Sequence, residues 1–317
     1  MRLSRSQPST PNLKFLFFQP YLKSVIWGGQ NLKQIYQSNL DNIGEAWLIS
    51  AYPHHSSVCL NPEFAGVSLE TLFQEQKTLF DHYEGAYPNL LKLIDTAQAL
   101  SIQIHPDDAY AQAKYHSFGK NEFWYVLKTN GAPFLIDYQG DDVTLIKQKL
   151  AAQDFSNLFA EMQLAQDEAI YIPAGTIHAI PEQTTVFEIQ QSSDLTFRIY
   201  DYDRLQNGQK RELHLTQAIA CLTPKTPRFV YRASDQQLIQ NEYFHLNKIV
   251  HSGENRTYQF PDFAWLEIVV IKGSGQLDQT HAIKVGDALI MTKLQGNSFS
   301  LTGELTVLVN KVLRQTK

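Results

Sequence analysis

Cysteine is nearly absent: the 317 residues contain two, Cys59 and Cys221. They lie far apart without CxxC spacing, which argues against a disulfide framework and fits a reducing cytoplasm. Both read as small buried apolar residues. No run of about eighteen apolar residues occurs, so nothing reads as a membrane span. A basic excess is missing too, since the formal net charge is -5. That argues against nucleic acid as a partner. It does not argue against a small anionic substrate, because a pocket needs only a few cations. Arg2 and Arg5 precede an apolar-rich stretch from Leu13 to Phe18. The stretch is short, is interrupted by Lys14 and lacks a small-residue cleavage site, which reads against a signal peptide.

What is present describes a globular β protein. Hydrophobic residues make up 43% and charged residues 19%, and the length suits two domains. Fifteen Tyr and eighteen Phe, with turn residues scattered throughout, favour many strands. Residues 1–12, rich in Ser and Pro, read as a loose tail. Composition shifts to a linker around Pro224 to Pro227. The expected division is a catalytic β domain over 13–233 with helical insertions, then a smaller jelly roll over 234–317. Helical segments are expected at 68–80, 107–115 and 142–159, and turns at 272–275 and 285–287. The expected fold is mainly β, with two jelly-roll β-sandwiches and short helical excursions in the first.

One stretch carries chemistry. In Ser101-Ile102-Gln103-Ile104-His105 a strand would turn Ser101, Gln103 and His105 to one face and the isoleucines to the other. A polar row inside a barrel is costly unless something satisfies it, and a metal ion would do so. Glu122 opens the strand-like EFWYVLK, and His178 follows the turn IPAGT. Two imidazoles, a carboxylate and an amide oxygen, with no thiolate, match a catalytic zinc site better than a structural one. Each residue alone is an ordinary strand residue. Spacing does not prove that the three segments converge.

The runs SIQIHPDD, GKNEFWYVL, PAGTIHAI and EIQQSSDLTFRIYDYDR occur in this order, after FFQPYLKSVIWGG, GEAWLIS and NLLKLIDTAQALS. Together they resemble the type I mannose-6-phosphate isomerases of the cupin superfamily, in the compact form found in many bacteria. The likeness is dense from Phe17 to Leu222. It implies a cupin-type fold and one Zn2+ held by Gln103, His105, Glu122 and His178. It implies a catalytic Arg198 and pocket lysines Lys92 and Lys120. It also implies a substrate-contacting Ser101 and an acidic Asp194 near the arginine. Longer members carry a histidine before the pocket lysine; here that position is Gly119, so ring opening must use another group or occur in solution.

The implied reaction interconverts D-mannose 6-phosphate and D-fructose 6-phosphate through a cis-enediol. Arg198 and a metal suit the charge that develops on the enediolate oxygens. Metal-bound hydroxide, Asp194 and Lys120 remain open as the base, and Lys92, Lys120 and Arg198 as phosphate binders. Two other readings stand beside it. A metal-dependent oxygenase would use the same two His and one carboxylate, and a non-catalytic sugar-phosphate sensor would keep the fold. Clustered cations argue against the first and an intact ligand set against the second. Tyr200, Asp201, Tyr202 and Asp203 read as strand and turn packing. Nothing in the sequence sets the oligomeric state; a monomer is compatible with it.

Overall fold

Strands carry most of the regular structure, as β-branched and aromatic runs between turn residues dictate. A computed structural model describes residues 13–226, 228–232 and 236–314. The stretch 1–12 and the expected 233/234 boundary lie outside the described residues. Along the chain run β1 (Phe15–Gln19), β2 (Tyr21–Gly29), α1 (Asn31–Tyr36), β3 (Ile43–Ser50), β4 (Val58–Cys59), α2 (Leu69–Glu75), β5 (Asn89–Thr96) and β6 (Ile102–Ile104). Next come α3 (Asp108–Tyr115), β7 (Glu122–Lys128), β8 (Phe134–Tyr138), α4 (Val143–Ala151), β9 (Phe159–Met162), β10 (Ala169–Ile172), β11 (His178–Ala179), β12 (Thr184–Gln191) and β13 (Phe197–Tyr200). A hairpin of β14 (Leu205–Gln206) and β15 (Gln209–Lys210) leads to α5 (Leu215–Cys221) and β16 (Val230–Tyr231). The rest is β17 (Gln237–Gln240), β18 (His245–His251), β19 (Arg256–Gln259), β20 (Trp265–Leu277), β21 (His281–Lys284), β22 (Ala288–Thr292) and β23 (Ser298–Val312).

Three antiparallel sheets stack. The middle one runs β16-β10-β7-β12-β5-β2-β3. One of its faces packs on the sheet β17-β18-β23-β20-β22-β1-β4, through a core that includes Leu91, Phe123, Phe187, Trp265 and Leu308. Its other face meets the sheet β13-β6-β11-β8-β9, through Trp27, Ile94, Trp124, Ile136 and Val186. β12 shows how alternation serves both sides: Phe187 and Ile189 enter the first core, while Val186 and Glu188 face the second. Each fully buried Phe or Ile of this kind contributes about 1.5–3 kcal/mol. α4 and α5 cover the outer face of the third sheet, over Ile102, Ile104, Ile146, Leu150 and Ala218. β1, the first strand among the described residues, pairs with β22, so strand pairing joins N-terminal and C-terminal segments of the sequence.

Two expectations change. The helix expected over 142–159 ends at Ala151; Gln153 and Asn157 take left-handed φ values of 55° and 49°, and β9 follows on β8. The expected turn at 272–275 lies inside β20. There the register against β23 slips between Val270 and Lys272, with Gly273 at φ +73°. This is a bulge, which bends a strand without ending it. The turn at Gly286 forms as expected, at φ +92°. No helix among the described residues is long and apolar enough to cross a membrane.

Candidate active site

The site lies between the second and third sheets, where two rows of polar side chains face one another. On the third sheet, His178 of β11 and Arg198 of β13 are both in register with Gln103 of β6. Ile102 and Ile104 point into the core beneath α4 and α5, which turns Gln103 inward. On the middle sheet, Trp124, Glu188, Lys92 and Trp47 are successive cross-strand partners over β7, β12, β5 and β3. Between them is a cavity of about 410 Å³ bordered by Ser101, Gln103, Lys92, Lys120, Asp194 and Arg198.

Three buried groups converge beside it, against Gln103 and Lys120 of its wall. Ligand atoms of His105, Glu122 and His178 lie within 4.8 Å of one another, a group that could hold a metal ion. His105 Nδ1 is 2.8 Å from Leu195 O, and His178 Nδ1 is 3.0 Å from Thr176 O. A carbonyl only accepts, so each Nδ1 carries the hydrogen and each Nε2 presents a lone pair. Those two Nε2 atoms face each other at 3.1 Å. Burial holds both rings neutral: the pKa of His105 is lowered, and that of His178 falls to about 3. Neither oxygen of Glu122 accepts a hydrogen bond. Burial alone would raise its pKa, but the Lys120 ammonium outweighs that and holds it well below the usual range. Two lone pairs and a carboxylate aimed at one point fit a divalent cation, with the Lys120 ammonium as the carboxylate's neighbour. The Gln103 amide lies 3.4 Å from His178 Nε2, and a flip of that amide turns its oxygen to the same point.

Cations and carboxylates alternate around this centre. Lys120 Nζ is 2.7 Å from Glu122 Oε1 and 3.1 Å from His105 Nε2. Lys92, fully enclosed, has Glu45 Oε2 at 3.2 Å, Glu188 Oε1 at 3.4 Å and the Trp47 ring at 4.7 Å. Burial disfavours its charge, yet Glu45 and Glu188 more than compensate, so its pKa is raised. Glu45 is pushed up by burial but drawn down to about 2 by Lys92, Lys23 and the Trp47 indole N–H. Glu188 moves the other way: burial and the charge of Glu122 raise its pKa despite Lys92 and the Trp124 Nε1 hydrogen bond at 3.0 Å. Arg198 Nη1 donates to Glu212 O at 2.8 Å. Asp194 sits at the open rim, 3.7 Å from Lys23 Nζ.

All nine residues singled out in the sequence therefore border the cavity or the buried cluster: Ser101, Gln103, His105, Lys120, Glu122, His178, Lys92, Asp194 and Arg198. Gly119 is held by close approach. A Cβ there would come within 2.5 Å of Asp108 N and 2.6 Å of Asp107 C, so no side chain fits. The sequence reading missed Glu45, Glu188, Lys23 and Arg211, which share the cavity wall. For Glu188 the signal was available: Val186, Glu188 and Gln190 alternate with Phe187 and Ile189. Trp27 also borders the cavity.

Fold and site define a cupin-like β protein with a His–carboxylate–His metal cluster opening into a cationic pocket. Residues 16–130 match the phosphomannose isomerase type I catalytic domain. The chain is 32% identical over 310 residues to the mannose-6-phosphate isomerase of Streptococcus mutans, covering 93% of this chain and 97% of that protein. The crystal structure of the Bacillus subtilis mannose 6-phosphate isomerase superposes with a TM-score of 0.86 at 32% identity, over 94% of this chain and all of that one. A zinc-bound mannose 6-phosphate isomerase, 15% identical over 94% of this chain and all of that one, shares the fold with a TM-score of 0.72. The chain belongs to the type I mannose-6-phosphate isomerase family.

Proposed function

We propose that the chain interconverts D-mannose 6-phosphate and D-fructose 6-phosphate through a cis-enediol, with one zinc ion held by Gln103, His105, Glu122 and His178. The observation that carries this reading is the convergence of two imidazole Nε2 lone pairs and the Glu122 carboxylate on one point, beside a cavity that Arg198 borders, in a chain of this family. When bound, zinc supplies Lewis-acid polarisation of the sugar oxygens and acidifies bound water. Arg198, beside Gln103, places a guanidinium where the enediolate oxygens gain charge. Lys120 Nζ donates to a sugar oxygen from the cavity wall that it shares with Ser101. Lys92 keeps Glu45 and Glu188 aligned more than it contacts phosphate, since both carboxylates enclose it.

Proton transfer between C1 and C2 needs a group inside the cavity that can take up and release a proton. Glu188 suits this better than Asp194. Its pKa is raised by burial and by Glu122, whereas Asp194 is at the rim beside Lys23. Asp194 instead orients Lys23 at the entrance. With no side chain at position 119, ring opening proceeds in solution or through Lys120. The test is a coupled assay on purified protein with mannose 6-phosphate, glucose 6-phosphate and mannose, with metal analysis of the same sample. Turnover of mannose 6-phosphate alone, with one zinc per chain and loss on chelation, is the expected result. Full activity after complete metal removal overturns the reading.

A further inference from the structure

A hairpin at the mouth of the pocket is held at both feet by one buried carboxylate. β14 and β15 join through Asn207 and Gly208, at φ 53° and 79°, the conformation a two-residue hairpin turn requires. All four strand residues are exposed, so the hairpin buries no core of its own. Such a ribbon is at best marginally stable in isolation. Yet Gln206, within it, and Arg211, just beyond it, both border the catalytic cavity. Something outside the hairpin must fix it there.

That something is Asp201, at the end of β13 and 4% exposed. Its Oδ1 accepts from Arg204 Nη2 at 2.5 Å and from Arg211 Nη2; its Oδ2 accepts from Arg211 Nε at 2.7 Å. Arg204 Nη1 also donates to Ala99 O at 2.6 Å, close to the start of β6. Past the hairpin, Arg198 binds Glu212 O and its backbone pairs with His214. The hairpin thus hangs from the same strands that carry Gln103 and Arg198. Two guanidiniums share a single carboxylate, so the clamp keeps a net positive charge next to Arg198. Charge-assisted, bidentate geometry of this kind is both strong and directional.

We propose that the 204–211 hairpin is a fixed rim that selects the phosphorylated end of the sugar, and that Asp201 is the positioning residue that holds the rim in place. This rests on the sugar-phosphate reading above. Asp201 touches no substrate; Gln206 and Arg211 do. The test compares wild type with Asp201→Asn and Gln206→Ala, using mannose 6-phosphate as substrate and amide hydrogen exchange over residues 202–212. For Asp201→Asn the expected result is retained zinc, kcat within threefold, KM raised at least tenfold, and exchange at least tenfold faster in that segment alone. An unchanged KM, or loss of zinc and kcat as steep as the loss of affinity, overturns the proposal. Should Asp201→Asn fail to fold, Gln206→Ala still decides, because Gln206 is exposed: KM must rise at least threefold at constant kcat, and an unchanged KM overturns the rim. If wild type does not act on mannose 6-phosphate, the functional reading fails. The exchange contrast between wild type and Asp201→Asn then tests the clamp without any substrate.

Discussion

Arg198 lies directly across the β6/β13 ladder from Gln103, while His178 flanks Gln103 on its other side. Directly opposed residues of an antiparallel pair project to the same face with Cβ atoms about 5 Å apart. Arg198 is therefore the immediate cross-strand neighbour of Gln103, and it borders the same cavity without belonging to the His105–Glu122–His178 group. Arg198→Ala is expected to keep zinc and lower kcat by about 10²–10³, the usual loss when a preorganised donor to a developing oxyanion is removed. His178→Ala is expected to lose zinc and activity together. Steady-state kinetics with metal analysis of both variants makes the distinction. A rise in KM alone for Arg198→Ala would make it a binding residue.

Lys92 is the keystone of the middle-sheet row. Removing its ammonium leaves Glu45 and Glu188 buried with less compensation, a situation that costs about 3–5 kcal/mol. Lys92→Met, similar in volume, is expected to lower stability by that amount in urea titration. Adding Glu188→Gln should recover part of the loss, because one of the two stranded charges is then gone. A single-variant loss under about 1 kcal/mol, the scale of an exposed ion pair, would show that the triad is weakly coupled.

The parts legible in the sequence were those written in strand alternation. Gln103, His105 and His178 stand out because apolar neighbours on either side force them to one face, Glu122 because it opens an apolar strand, and Lys92 because it interrupts one. Glu188 carries the same signal but competes with Gln190 and Gln191 for attention in a fully buried strand. Asp201 could not be read that way. Its partners, Arg204 and Arg211, follow at three and ten residues, on either side of a hairpin whose packing direction depends on tertiary contact alone. The Gly-rich run at 272–275 has the composition of a turn. It stays in the strand, just past a bulge at 270–272, because β23 continues alongside it and supplies pairing partners through the whole stretch.

Glu45 makes stability depend on acidity. Its carboxyl has an ordinary value of 4.5 and falls to about 2 in the fold, where Lys92 and Lys23 outweigh burial. A depressed folded-state pKa contributes stability that is fully present above 4.5 and is lost as pH falls toward about 2. The shift corresponds to about 3 kcal/mol. Urea midpoints of wild type and Glu45→Gln measured from pH 6 down to pH 2 are expected to differ most above pH 5 and to converge near pH 2. A difference that stays constant across that range would assign the effect of the substitution to packing instead of charge.

Gly119 couples backbone packing to the metal cluster. Its amide donates to Asp108 Oδ1 at 2.8 Å, and Lys120 N donates to Pro106 O at 2.9 Å, so the chain at 119–120 lies flush against 106–108. A Cβ at 119 would fall 2.5 Å from Asp108 N and 2.9 Å from Pro106 O, all backbone atoms that cannot rotate away. The two segments must separate, and each adjoins a residue proposed to hold the metal: His105 precedes Pro106, and Glu122 follows Lys120 by two. Overpacking of this kind costs about 1–3 kcal/mol. Gly119→Ala is expected to lower the melting temperature and, more tellingly, to weaken zinc retention in a competition titration against a chelator, because His105 and Glu122 are pushed apart. Gly119→His is expected to be worse on both counts. Wild-type zinc affinity in Gly119→Ala would mean that the 106–108 segment yields without disturbing the cluster.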